Sequence, residues 1–169
     1  MSDQTTADVP DWERRLYAAL PLFGHRNWIV VADAAYPMQS NPGIETIFAA
    51  ADSTQVLRTV MDAITASTHI HAKVYLDEEL LYVAEQDAPG VTHYREQLNE
   101  LLHQRSPAQL LHEQIIAKLD ESARLFRILV VKTPMTIPYT SVFFELVCGY
   151  WSAVSEQRLR AAIQPAHAH

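Results

Sequence analysis

Short, uninterrupted apolar runs constrain this chain more than any other feature. Residues 28–32 read WIVVA, 127–132 read RILVVK and 141–147 read SVFFELV. A strand with one wet face alternates apolar and polar side chains, whereas a strand covered on both faces has no reason to alternate and fills with Val, Ile and Phe. Such strands need a covering layer on each side, and the intervening segments can supply both. Asp11 can cap a helix through WERRLYAALPLF, with Trp12, Leu16, Ala19 and Leu20 on one face. The turn-forming AAYPMQSNPG separates the first strand from a second at Ile44 to Ala49. Ser53 can then cap TQVLRTVMDAITAS, whose Val56, Leu57, Val60 and Ile64 form an apolar stripe. His69 to Leu76 alternates as a third strand, and helices are expected at about 90–103 and 107–123, the latter opened by Ser106 as cap with Pro107 at its first position. Strands alternating with helices predict an α/β fold, a single-domain three-layer α/β/α sandwich with a central sheet.

The 169 residues suffice for one domain with its own core. With 49% hydrophobic and 20% charged residues the composition is that of a globular protein, which excludes a wholly disordered chain. The domain is expected over 11–163, preceded by a disordered segment at 1–10 and followed by a flexible tail at 164–169, because neither end shows periodicity. Thirteen basic against twenty acidic residues leave a net charge of −7, which repels a phosphate backbone, so nucleic acid is not an expected partner. No apolar run approaches the roughly twenty residues that span a bilayer, and no leader pattern opens the chain, so no membrane partner and a cytoplasmic location are expected. Cys148 is the single cysteine and is expected as a buried strand thiol.

In sheets of this kind polar groups gather at the carboxyl ends of strands, and Asp33 follows WIVVA at that place. The same aspartate suits a turn cap, and the residues alone leave both readings open. His25 follows Gly24 in the connector before the strand; glycine there would let the imidazole be aimed, and histidine transfers protons in both directions near neutral pH. His69 and His71, two apart on a strand, read as a polar face and not as a metal site, there being no third ligand nearby in sequence. Four glycines in the whole chain leave no phosphate-cradling loop, so neither metal nor cofactor is expected. Phe143, Phe144, Tyr150 and Trp151 read as core or subunit contact.

The segment FGHRNWIVVADAAYP resembles the signature of the ribose pyranase and fucose mutarotase family: Gly-His, a few polar residues, an apolar strand, Asp-Ala and a nearby proline. The likeness continues through NPGIETIFAAADSTQVLRTVMDAI and LVVKTPMTIPYTSVFFELVCG, covering roughly residues 12–150. It implies a mutarotase or pyranase that opens and recloses a monosaccharide ring by general acid–base catalysis, with His25 as proton donor, Asp33 binding sugar, and Tyr139, Thr140 and Ser141 as a sugar-binding triplet. The helical sugar contact falls on His112, in His112-Glu113-Gln114, or, counted back from Thr133 without gaps, on Ala117 next to Lys118; His112 is the preferred reading. Asp-Ala-Ala-Tyr-Pro looks closer to the fucose than to the ribose branch. The resemblance also implies a homo-oligomer, a decamer in the known branches, with the site shared between neighbours. Ser141 stands where the family has asparagine, and Thr133-Pro134-Met135 where it has Thr-Gly-Glu. These departures leave open a non-catalytic sugar-binding or regulatory protein of the same fold.

Overall fold

A computed structural model describes residues 8–164; the expectations for 1–7 and 165–169 lie outside the described residues. In chain order the elements are α1 (Asp11–Ala19), β1 (Trp28–Ala32), β2 (Ile44–Phe48), α2 (Ser53–Ala66), β3 (Ile70–Asp77), α3 (Val91–Leu102), β4 (Ala108–Leu110), α4 (His112–Ala123), β5 (Ile128–Lys132), β6 (Val142–Cys148) and α5 (Ala153–Ile163). The six strands form one mixed sheet in the order β2-β5-β1-β6-β3-β4. β1 pairs in parallel with β5 and β5 with β2, β3 pairs in parallel with β4, and β6 runs antiparallel between β1 and β3.

The alternation of side chains across the sheet sorts the apolar runs into two cores. Ile29 and Val31 of β1, Leu129 and Val131 of β5, and Phe144 and Leu146 of β6 pack with Leu16 of α1, Leu57 and Ile64 of α2, and Leu98 of α3. The intervening residues Trp28, Val30, Ile128, Val130 and Phe143 face the other way, against Ile115, Leu119 and Ala123 of α4. Helices thus cover both faces, as the unbroken apolar strands require. Trp28 is buried with its indole N–H satisfied, donating to Ser122 Oγ at 3.1 Å.

Several local expectations are corrected. The first helix stops at Ala19 and tightens into a single 3-10 turn at Leu20–Leu22, because Pro21 brings no amide hydrogen to continue the α-helical ladder. It begins after Pro10, with no side-chain cap from Asp11. Asp52, not Ser53, caps α2, its carboxylate accepting the Thr54 N–H at 3.0 Å. The helix expected over 107–123 divides: Ala108–Leu110 leaves helix and pairs with Tyr75–Asp77 as β4, and α4 begins only at His112. His69 lies outside β3, with Nε2 within 3.1 Å of the Leu20 and 2.9 Å of the Phe23 carbonyl oxygen, so it does not share a strand face with His71. Cys148 is only part-buried, at the end of β6. Phe143 and Phe144 are core, while Tyr150 and Trp151 are exposed. α5 was not read from the sequence; Ser152 caps it, accepting the Ser155 N–H at 3.0 Å, and none of its residues is buried.

Phe144 sits on the central antiparallel strand with no solvent exposure. Phe144→Ala is expected to cost about 3–5 kcal/mol, the usual range for emptying a buried aromatic site. Urea unfolding measures it, and a loss below about 1 kcal/mol would contradict the two-core packing.

Candidate functional site

The site follows from strand direction. β1 and β3 run the same way with one strand between them, and that strand, β6, runs against both. The carboxyl ends of β1 and β3 and the start of β6 therefore meet at one edge of the sheet. Asp33 follows β1, Asp77 ends β3 and Ser141 precedes β6. β4 lies parallel to β3 and ends at the same edge, where after a single residue the chain turns into α4 and delivers His112. A cavity of about 260 Å³ opens there, lined by Asp33, Ala35, Tyr36, Pro37, Asp77, His112, Pro138, Tyr139 and Ser141. A larger groove of about 490 Å³ beside the start of α2 has Asp52 as its one titratable group, already engaged as a helix cap, and offers little chemistry.

His112 is held on several sides. Its Nδ1 lies 3.0 Å from Asp77 Oδ1, and its backbone N–H donates to both carboxylate oxygens of Glu79 at 3.0 Å. Its ring meets Tyr139 and Phe143 edge-on, with centroids 5.9 and 6.5 Å apart. Gln114 Oε1 accepts the Leu111 N–H at 3.1 Å, so this member of His-Glu-Gln closes the start of α4. Lys118 lies elsewhere, its ammonium 5.8 Å from the centre of the Tyr75 ring.

Burial dominates the electrostatics. Asp77 is 2% exposed and its Oδ2 has no hydrogen-bond partner among the described residues. Desolvation pushes its carboxyl up to about 6, against the pull of the His112 hydrogen bond and charge, and with some help from the Glu79 and Asp33 charges. Asp33 is also raised by burial, opposed by the backbone N–H groups of Tyr36 and Ala35 and by the charges of His112 and Lys132. Asp33 is therefore both turn-former and cavity wall. Burial, then the Asp120 and Asp77 charges, push the Tyr36 hydroxyl up to about 12, with Gln39 opposing.

Tyr139, Thr140 and Ser141 have three different surroundings. Tyr139 adopts φ 60°, the left-handed region that costs a bulky residue about 1–2 kcal/mol, and in that conformation it forms part of the cavity wall. The Thr140 hydroxyl donates to the Ile137 carbonyl at 2.8 Å, and its own carbonyl accepts the Tyr94 hydroxyl at 2.9 Å, so its side chain serves the turn. Ser141 Oγ accepts the Asp33 N–H at 3.2 Å and ties the end of β1 to the start of β6.

His25 is not with them. It lies exposed in the turn that enters β1, and Asp33 lies just past the other end of that strand. Five residues at ~3.3 Å each separate the two by roughly 16 Å along the strand. Nor does Gly24 supply the special backbone shape: Arg26 takes the left-handed conformation, at φ 77°, while Asn27 Oδ1 accepts the Gly24 N–H at 2.8 Å. Sequence reading passed over Asp77, Glu79 and Tyr36. The signal for Asp77 was present, since it ends a strand as Asp33 follows one, but YLDEELL reads more simply as a solvated acidic turn. Among the described residues no group of three His, Cys, Asp or Glu side chains has the arrangement of a metal site.

The raised carboxyl of Asp77 has a consequence for stability. Between about 3.8 and 6 the folded protein keeps a proton that the unfolded chain releases, so this group's contribution to stability falls as pH rises through that window. Asp77→Asn removes the ionisation. Urea unfolding at a series of pH values should show the variant gaining on the wild type from pH 4 to pH 7. A difference independent of pH would contradict the buried-charge assignment.

The chain matches the RbsD / FucU transport protein family over residues 12–148. A search of curated protein sequences finds no match. Among solved structures it is similar to Bacillus subtilis RbsD complexed with D-ribose, with a TM-score of 0.54 and 18% identity over 90% of this chain and 100% of that one. FucU from Bifidobacterium longum aligns at a TM-score of 0.53 and 14% identity, covering 79% of this chain and 94% of the other. The fucose mutarotase of Streptococcus pneumoniae in complex with L-fucose gives 0.53 and 18%, covering 82% and 93%. At these identities the structural likeness speaks for the fold; the family match, spanning most of the chain, speaks for descent. The chain belongs to the RbsD / FucU transport protein family.

Proposed function

We propose that this protein is a monosaccharide mutarotase or pyranase that opens and recloses a sugar hemiacetal, with a fucose-type sugar as the first candidate substrate. The observation that carries the reading is the convergence of Asp33, His112 and the segment bearing Tyr139 and Ser141, drawn from three separate parts of the sequence, around one small cavity. A volume of about 260 Å³ lies just below the range of ~300–1,000 Å³ for drug-sized ligands and suits a single sugar ring. Similar structures hold D-ribose and L-fucose, and the Tyr36-Pro37 ending after Asp33 resembles the fucose branch.

Ring opening needs a proton removed from the anomeric hydroxyl and one delivered to the ring oxygen. Asp33 accepts hydrogen bonds from sugar hydroxyls, while Tyr139, His112 and Ser141 form the cavity wall that orients the ring, and Thr140 holds the turn that carries two of them. His25 is the proton donor, and because β1 holds it away from Asp33 of its own chain, it acts in the cavity of a neighbouring copy. The protein is accordingly a cytoplasmic homo-oligomer, a decamer by the family resemblance, with the site at a subunit boundary. Because mutarotation proceeds unaided in water, acid–base assistance of about 10²–10⁴-fold suffices.

One observation favours a second reading, a sugar-binding or regulatory protein without turnover. The Ser141 hydroxyl that replaces the family amide accepts a backbone N–H, so part of its capacity is committed before a ligand arrives.

Saturation-transfer NMR across a panel of monosaccharides separates the two, since it reads ring exchange at equilibrium. The wild type should accelerate exchange of one sugar; binding with no acceleration would establish the second reading. His25→Ala should abolish the acceleration and leave the melting temperature within about 1–2 °C, because an exposed turn residue contributes little packing. Asp33→Asn should weaken sugar affinity roughly tenfold through loss of a charged acceptor. Co-expressing the two variants should restore activity to about a quarter of the sites, those pairing an intact His25 with an intact Asp33 from the neighbour. Absence of any restoration would contradict a shared site.

A further inference from the structure

We propose that Asp77 is a positioning residue that holds His112 as its Nδ1–H tautomer, and that His112 Nε2 is the proton acceptor for the anomeric hydroxyl. This rests on the ring-opening reading and extends it, giving the reaction a base to set beside its acid. The geometry is specific to one tautomer. An ionised carboxylate only accepts hydrogen bonds, so with Asp77 Oδ1 3.0 Å from Nδ1 the proton of a neutral imidazole belongs on Nδ1 and the lone pair on Nε2. Glu79 anchors the His112 backbone, Tyr139 and Phe143 pack against the ring, and His112 lines the cavity with Nδ1 already engaged, which leaves Nε2 as the nitrogen open to a ligand.

The charges around the ring suit a base. Asp77 and Glu79 approach from β3 and the turn after it and Asp33 from the end of β1, while Tyr139 and Phe143 from the β6 side are uncharged; Lys132 acts on Asp33. Asp77 is ionised above about pH 6 and thus able to hold the tautomer at neutral pH.

The step balances. The anomeric O–H proton passes to His112 Nε2 as the bond between the anomeric carbon and the ring oxygen breaks. The carbon–oxygen double bond forms, and the ring oxygen receives the proton carried by His25 of the neighbouring copy. After rotation of the aldehyde, reclosure returns both protons to their origins, so neither residue is consumed.

The test has one arm that needs no substrate. ¹⁵N NMR of the wild type at pH 8 should show His112 protonated on Nδ1 and bare on Nε2; the opposite tautomer overturns the positioning role. Asp77→Asn supplies an amide that can donate to Nδ1 and so invert the tautomer, which in a serine protease triad abolishes most of the turnover with the geometry intact. Here kcat for ring exchange should fall roughly tenfold or more while KM stays within about twofold, as expected when an interaction is used in the transition state. An unchanged kcat, or a loss confined to KM, reduces His112 to a binding group and overturns the proposal. A wild type with no ring exchange for any sugar overturns the base role together with the reading it rests on, and the nitrogen shifts still decide the positioning.

Discussion

β1 is hydrogen-bonded along both edges, in parallel to β5 and antiparallel to β6, and the rest of the molecule depends on that arrangement. A strand so placed satisfies its backbone entirely within the sheet and can be apolar at every position, as WIVVA is. The reversed direction of β6 then decides where chemistry is possible. If β6 ran with its neighbours, its start would lie at the far edge of the sheet and Ser141 could not meet Asp33. Because it runs against them, the loop carrying Tyr139 to Ser141 closes over the ends of β1 and β3, and β4 brings α4 and His112 to the same edge. The same strand is a spacer that keeps His25 from Asp33 of its own chain, which is the geometric ground for proposing a site completed by a neighbour.

The cavity is built at some expense of stability. Asp77 is buried with one oxygen unpartnered among the described residues, Asp33 is raised by desolvation, and Tyr139 occupies a backbone region unfavourable to its side chain. None of these improves packing. All three line one cavity, which is where strain and poorly solvated charge are expected if the surrounding sheet is stable enough to hold them. The two cores supply that surplus, and a polar ligand rich in hydroxyls would relieve part of the cost by hydrogen bonding to the acceptors.

The buried strands were legible in the sequence because continuous burial leaves an unbroken apolar run, and α2 because its stripe repeats at helical spacing. β4 was not: three residues, none fully buried, carry no pattern, and Pro107 suggested a helix start. The consequence reached the site, for the true start of α4 is what sets His112 at the cavity. Asp33 was legible from its place at the end of β1 together with the motif around it. Asp77 was not, because its place at the end of a strand reads equally as the start of a solvated acidic turn with the two glutamates that follow; its contact with a residue 35 positions away is what sets it apart. His25 shows the opposite limit. The motif singles out the residue, and strand geometry places it away from Asp33 of its own chain.

The most direct measurement is a crystal structure of the assembled protein grown with L-fucose or D-ribose. The account expects a sugar ring against Asp33, Tyr139 and His112, with Nε2 of His112 within hydrogen-bond reach of the anomeric oxygen and His25 of a neighbouring copy facing the ring oxygen. A sugar bound at another place, or an assembly in which His25 turns to solvent away from every such cavity, would contradict it.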